Sequence, residues 1–206
     1  MKKITLILLG FFLYTGSVNA QAIDDRAVIP VAVNLNSILR LNVVSGGSIE
    51  FNFNTLDDYT NGINAGGTNP GYMTRFNVAS SVNWNVFMYA EDATLMGTDE
   101  VGSTNTMEID NIGFHVDHDG TGDADHFDYS SDDPTAPEAL TANENFILVG
   151  YNGTNPNAGD IRQNAFVINW RCGTSEGNME EDNLLEQGLA ADRYATNVFL
   201  LLQPFD

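Results

Sequence analysis

Apolar residues recur at every second position in several short runs along the chain. A two-residue period is typical of β-strands that bury one face. It is seen at 49–53, 76–78, 84–88, 112–116, 166–170 and 198–202. Residues 28–44 add one long or two short strands, and 146–149 add another. Clusters of Gly, Asn, Asp and Ser between the runs indicate turns.

The pattern predicts an all-β fold. No stretch of about a dozen residues has a helical period, and 179–187, with acids first and Gly188 after, is the one short helix we expect. Roughly eight or nine strands predict a single antiparallel β-sandwich of immunoglobulin-like character, with a closed barrel as the alternative. We expect Trp84 and Trp170 in or near its core, and Cys172 as a buried strand thiol.

The beginning of the chain has the organisation of a secretory signal peptide. Two lysines precede an apolar run at 4–14, and Val18 and Ala20 are the small residues that a signal peptidase reads. The run is about half the roughly 20 residues of a membrane-spanning helix. We therefore predict a signal peptide at 1–20, export to the periplasm, cell surface or extracellular space, and one mature domain at 21–206 with no membrane insertion.

The mature chain is strongly acidic and carries no enzyme motif. Both lysines lie in the signal peptide, which leaves six arginines against 28 acidic residues and a net charge of −22. This charge repels phosphate backbones and anionic lipids, so nucleic-acid and membrane-surface partners are excluded. Schiff-base chemistry needs a lysine. The sequence has no nucleophile elbow, zinc-protease motif, phosphate-binding glycine loop or Cys-x-x-Cys pair, which predicts a protein that is not an enzyme.

Residues 117–145 form a long polar stretch, which we expect to be an acidic loop inserted between two strands. The first part of this stretch has the residue spacing of a calcium-binding loop. Counted from Asp117, oxygen-bearing side chains fall at positions 1, 3, 5, 9 and 12, with Gly122 at position 6. Position 7 contributes its backbone carbonyl in such loops. The predicted ligands of one weak calcium ion are therefore Asp117, Asp119, Thr121, Asp123, Asp125 and Asp128. The alternative is a solvated acidic loop without an ion.

The three histidines, His115, His118 and His126, lie within twelve residues of one another. Three imidazoles brought together would bind zinc or copper rather than calcium. If positions 114 and 116 point into the core, however, His115 faces solvent, and the other two alternate with aspartates. We therefore expect three solvated histidines.

Two stretches resemble bacterial surface β-sandwiches of the fimbrial-subunit and WxL type. Residues 76–88 resemble the strand, turn, tryptophan and strand element of those domains, and 187–202 are similar to their final turn and strand, with Asp192 where the family has Gly. A mature chain that begins at Gln21 also resembles exported proteins of Bacteroidota. The resemblance implies a structural or adhesive surface subunit and supplies no catalytic residues.

These observations predict an exported, non-enzymatic structural or adhesive component of the cell envelope or extracellular surface. Its expected partners are other surface proteins or copies of itself, to which the apolar segment 27–44 or the last strand can be donated. The alternative is a calcium-dependent extracellular carbohydrate-binding module with glycans as partners. A hydrolase that uses some of the many carboxylates is a third, weaker interpretation.

Overall fold

The computed structural model describes residues 29–64, 66, 69–99 and 104–205, so the predicted signal peptide lies outside the described residues. The chain divides into two units, Met1–Leu35 and Asn36–Asp206. Of the first unit, residues 29–35 are described, and they form neither helix nor strand. In the described part of the chain, no helix is long and apolar enough to cross a membrane.

The second unit consists almost entirely of β-strands. Its helix α1 spans Leu56–Asn61, and short 3-10 helices span Pro70–Tyr72, Ile109–Asn111 and Ala124–His126. The strands are β1 (Leu39–Ser45), β2 (Ile63–Asn64), β3 (Met73–Ser80), β4 (Trp84–Ala90), β5 (Thr94–Gly97), β6 (Thr106–Glu108), β7 (Ile112–His118), β8 (Phe127–Tyr129), β9 (Glu138–Ala139), β10 (Ile147–Tyr151), β11 (Ala165–Cys172), β12 (Tyr194–Ala195) and β13 (Val198–Pro204).

These strands form antiparallel sheets whose inner faces share one core. The first sheet has the order β1-β3-β11-β7-β9, with β2 also paired to β11. The second has the order β13-β4-β10-β8, and β12-β5-β6 form a smaller third sheet. Trp84 of the second sheet meets Phe166 of the first with ring centroids 5.9 Å apart. The predicted all-β antiparallel sandwich is confirmed.

The core residues expected from the two-residue period are buried. Trp84 is 0% exposed, Trp170 6% and Cys172 3%. The indole Nε1 of Trp170 donates to Thr74 Oγ1 at 2.9 Å, which satisfies its one polar atom. Burial raises the pKa of the Cys172 thiol to about 12, so this thiol is protonated and unreactive at neutral pH.

Two predicted elements are wrong, and one helix was missed. Residues 49–53 alternate between half-buried and exposed and pack on the core, but they pair with no strand among the described residues. Residues 179–187 form turns instead of a helix: Asn183 Oδ1 caps a turn by accepting from the backbone N–H of Glu186, and Gly188, with a positive φ, follows before the turn can extend. The helix α1 instead follows a capping box formed by Thr55 and Asp58.

The acidic stretch 117–145 contains regular structure of its own. It holds the end of β7, the 3-10 helix Ala124–His126, and the short strands β8 and β9. Strand β8 pairs with β10, and β9 pairs with β7. Much of the predicted loop is therefore held in place by the two main sheets.

Candidate functional sites: the acidic stretch and the open sheet edges

The first three predicted calcium ligands each contact a protein group from a distant part of the chain. Asp117 lies on β7, where its Oδ2 accepts from Asn169 Nδ2 at 2.8 Å. Asp119 forms an ion pair with Arg75 of β3. The hydroxyl of Thr121 is 3.4 Å from the carbonyl oxygen of residue 162.

The last three predicted ligands follow a different local geometry. Asp123 caps the short 3-10 helix by accepting from the N–H of Asp125 at 3.1 Å. The carbonyl of Asp125 accepts from the side chain of Asn152, and Asp128 lies on β8 opposite Gly150. In the described part of the chain, no three Asp, Glu, His or Cys side chains are arranged to hold a metal ion. The calcium site stays a prediction.

Gly122 of the calcium pattern and its neighbour Gly120 are required by a close approach of two backbones. A Cβ on Gly120 would lie 2.1 Å from the carbonyl oxygen of Gln163, and one on Gly122 would lie 2.8 Å from the same atom. The N–H of Gly122 donates to that oxygen at 3.3 Å. Neither glycine has a positive φ. The glycine spacing therefore has an explanation in the fold that needs no ion.

His115 is buried, so the expectation that all three histidines face solvent was wrong for this residue. It points away from the core, as predicted, but residues 131–137 cover it and leave it 6% exposed. Its Nδ1 is 3.3 Å from Nη2 of Arg171, and its Nε2 is 3.8 Å from Oδ2 of Asp117. Burial, with Arg171 as a smaller cause, lowers the pKa of His115 although Asp117 and Asp133 oppose the shift.

Arg171 holds the segment that covers His115. This arginine is 5% exposed, forms an ion pair with Glu176, and donates from Nη2 to the carbonyl of Pro134 at 2.9 Å. Ser131 closes the segment by donating to the carbonyl of Ala136 at 2.8 Å. The cluster is a buried polar network that fixes loop position, although Nε of Arg171 has no hydrogen-bond partner in it.

Two shallow clefts are lined by carboxylates. One, of about 480 Å³, includes Glu108, Asp110, Glu138 and Phe146. Burial, followed by the charges of Glu180 and Glu108, raises the pKa of Asp110. The other cleft, of about 440 Å³, includes residues 124, 125, 127–129 and 132. Neither lining includes a histidine, a cysteine or a serine.

The sandwich is open along one side. Strands β1 and β13 are the end strands of the two main sheets, and each has seven residues. Among the described residues, no strand pairs with their outer edges. Inward-facing Leu39, Leu41, Leu200 and Leu202 are only partly buried, whereas the inward positions of β4 are buried. Long edges with unpaired backbone groups are templates for another strand.

Residues 29–35 carry the pattern of a strand but are not part of a sheet. Their apolar side chains alternate and are strongly exposed: Ile29 81%, Val31 84%, Val33 76% and Leu35 91%. Residues 27–39 contain no charged side chain. A contiguous exposed apolar stretch of this kind marks an interaction site. The sequence predicted one long or two short strands within 28–44; among the described residues of that range, those from 39 onward pair with β3.

No protein-family model and no curated protein matches this sequence. The segments that carry the fimbrial-subunit and WxL resemblance form β3, a turn and β4 in one case, and a turn, β12 and β13 in the other. The resemblance itself rests on those residues and stays a prediction.

Proposed function

We propose that this protein is an exported, non-enzymatic structural or adhesive component of the cell envelope or extracellular surface, and that it assembles with copies of itself by strand addition. Residues 29–35 of one copy add to an open edge, β1 or β13, of the next copy. The observation that carries the proposal is the exposure of four alternating apolar side chains in a chain whose two main sheets both end in a long, open strand.

The fold narrows the choice of donated segment. Strand β13 pairs with β4 over seven residues, and β1 pairs with β3 over most of its length. Donating either strand would break those pairs. Residues 29–35 belong to no sheet, so their donation costs the donor no backbone pairing.

The segment and the edges match in length, spacing and charge. A seven-residue strand spans about 23 Å, and both open edges have seven residues. The partly buried leucines of each edge recur at every second position, as the apolar residues of the segment do. Because the segment is uncharged, it can approach a mature copy with a net charge of −22 without burying a like charge.

Each apolar side chain that becomes fully buried contributes about 1.5–3 kcal/mol. Ordering each residue of the segment costs about 1–2 kcal/mol. Over the segment, the free energy gained by burial and the cost of ordering the chain nearly cancel. Backbone hydrogen bonds, about 1 kcal/mol each, therefore determine whether the segment binds an edge. We therefore expect assembly that depends on protein concentration.

Export and the absence of catalysis are part of the proposal. Export is supported by the signal-peptide pattern at 1–20, and a mature chain without lysine suits an acidic extracellular surface protein. The absence of catalysis is supported by the missing enzyme motifs in the sequence.

The experiment compares two double variants of the mature chain from Gln21. Val31→Asp with Val33→Asp places charges on the apolar side of the segment, and Ala32→Asp with Asn34→Asp places the same charges on the opposite side. Light scattering and negative-stain microscopy over rising concentration should show oligomers larger than a dimer for wild type and for the control variant, and nothing larger than a dimer for the first variant. Equal behaviour of the two variants, or a wild type that stays monomeric, would refute strand addition.

A synthetic peptide of residues 27–37 provides an independent check. If the segment binds an open edge, the peptide should compete with donation and shorten the oligomers. The same peptide with aspartate at positions 31 and 33 should have no effect. Oligomers that are insensitive to the native peptide would argue against the segment as the donor.

A further inference from the structure

The outer face of the second sheet carries a contiguous group of apolar side chains. On β4, positions 84, 86 and 88 point into the core, so the residues between them face outward. In register, Phe199 lies opposite Tyr89, and both Leu201 and Ile147 lie opposite Phe87. We call this five-residue surface the outer apolar patch.

The patch is large enough to be functional. Ile147 and Phe199 are each 42% exposed and Leu201 is 40% exposed. Phe87 and Tyr89 are half-buried, and an aromatic side chain offers about 150–250 Å², so the five side chains together leave roughly 300 Å² of apolar surface. The largest apolar patch of a monomer is about 300–600 Å² and is often an interaction site.

The charges around the patch indicate what can cover it. The outward position before Phe87 on β4 is Asn85, opposite Gln203 of β13, and neutral amides border the patch at that end. At the other end lies the exposed Glu91, whose carboxylate accepts from the side chain of Asn197. A cationic partner would be attracted to the 28 carboxylates of this chain rather than to the uncharged side chains of the patch. The five side chains of the patch are uncharged, so two mature copies, each with a net charge of −22, can pack these side chains together without burying like charges.

The side chains favour a protein partner over a sugar. Tyr89 and Phe199 have centroids 5.3 Å apart and planes tilted by 36°, so they do not form one flat stacking platform. The aliphatic Ile147 and Leu201 flank Phe87 on its two neighbouring strands. Mixed aromatic and aliphatic sheet faces are what two packed β-sheets bury.

We propose that the outer apolar patch is a self-association surface through which two copies of this chain pack face to face about a two-fold axis. The two patches together bury about 600 Å², which is less than the 1,200 Å² or so of stable complexes, so the dimer is weak and reversible. This contact uses the face of the second sheet and not its edge, and it does not depend on strand addition.

The test is carried out in the mature Val31→Asp, Val33→Asp chain, in which strand addition is blocked. Analytical ultracentrifugation from micromolar to millimolar concentration should show a monomer–dimer equilibrium. Ile147→Glu should weaken the dimer at least about tenfold, equivalent to about 1.4 kcal/mol. Ile161→Glu is the matched control, because Ile161 is 50% exposed and lies outside the patch; it should leave the dissociation constant unchanged.

Phe199→Ser removes apolar area without adding charge, and it should also weaken the dimer if Ile147→Glu proves to disturb folding. A background chain that stays monomeric at all concentrations would overturn the proposal, as would equal effects of the two isoleucine variants. Glycan binding that is lost in Ile147→Glu, without any dimer in the background chain, would assign the patch to a sugar instead. Because donation is blocked in every chain compared, failure here leaves strand addition untouched.

Discussion

Asn157 acts as a strand partner at the beginning of β4, and its replacement should destabilise the fold strongly. Its side chain is 1% exposed; Oδ1 accepts from the backbone N–H of Trp84 at 3.1 Å, and Nδ2 donates to the Trp84 carbonyl at 2.9 Å. The backbone carbonyl of Asn157 accepts from Trp84 Nε1 at 2.8 Å. One loop residue therefore satisfies three polar groups of the most buried tryptophan.

The cost of Asn157→Ala follows from the two bonds that the side chain makes. Removing it leaves a buried N–H and a buried C=O of Trp84 without a partner, and each unsatisfied group costs about 1–3 kcal/mol. We expect a loss of about 2–6 kcal/mol in the free energy of unfolding. For a chain of this size, 1 kcal/mol lowers the melting temperature by about 2–4 °C.

Urea unfolding of the mature chain, followed by tryptophan fluorescence, measures this loss directly. Asn155→Ala is the control in the same loop, because the hydrogen bond of Asn155 uses its backbone N–H. The control should change stability by less than about 0.5 kcal/mol. The reasoning fails if the two variants lose similar stability, or if Asn157→Ala changes the urea dependence without moving the midpoint.

Two further perturbations test the polar regions. Burial lowers the pKa of His115 below its ordinary 6.5, so below that pH the unfolded chain binds more protons than the folded chain, and stability falls as the pH drops. His115→Gln should make the free energy of unfolding less dependent on pH between about 7 and 5, whereas an unchanged pH dependence would exclude His115 as the cause. If the acidic stretch binds calcium, millimolar calcium should stabilise wild type by about 1 kcal/mol relative to chelator, and Asp117→Ala or Asp119→Ala should abolish the difference. Equal melting of wild type in both buffers would exclude the site.

The sequence predicts the sandwich because the two-residue period is a local consequence of burying one face. Trp84 and Trp170 are in the core as that period predicts. The two-residue period indicates which side chains are buried, but it does not show whether the residues pair with another strand. Residues 49–53 satisfy it by lying on the core without a partner strand.

The features that sequence reasoning missed depend on contacts between distant residues. His115 is buried because Arg171, 56 residues away, holds the covering segment through the carbonyl of Pro134. Gly120 is required by the carbonyl of Gln163, which no local pattern reveals. The outer apolar patch arises when β10 and β13 are placed on either side of β4, so it becomes visible only once the strand order is known.

The candidate donor segment was partly predictable. The apolar alternation of 27–44 marks it as strand, and the absence of charge from 27 to 39 marks it as able to pair with another copy. The sequence does not show which part of 27–44 is free to be donated, because the pairing of 39–45 with β3 depends on the register of the folded sheet.

Hydrogen exchange of residues 29–35 as a function of concentration tests strand addition most directly. In dilute mature protein, these amides should exchange at the rate of an unstructured chain. At concentrations where oligomers form, alternate amides of the segment should become protected, because a strand that pairs on one side uses every second residue, and amides of β1 or β13 should become protected at the same time. Oligomers in which residues 29–35 still exchange freely would contradict the account.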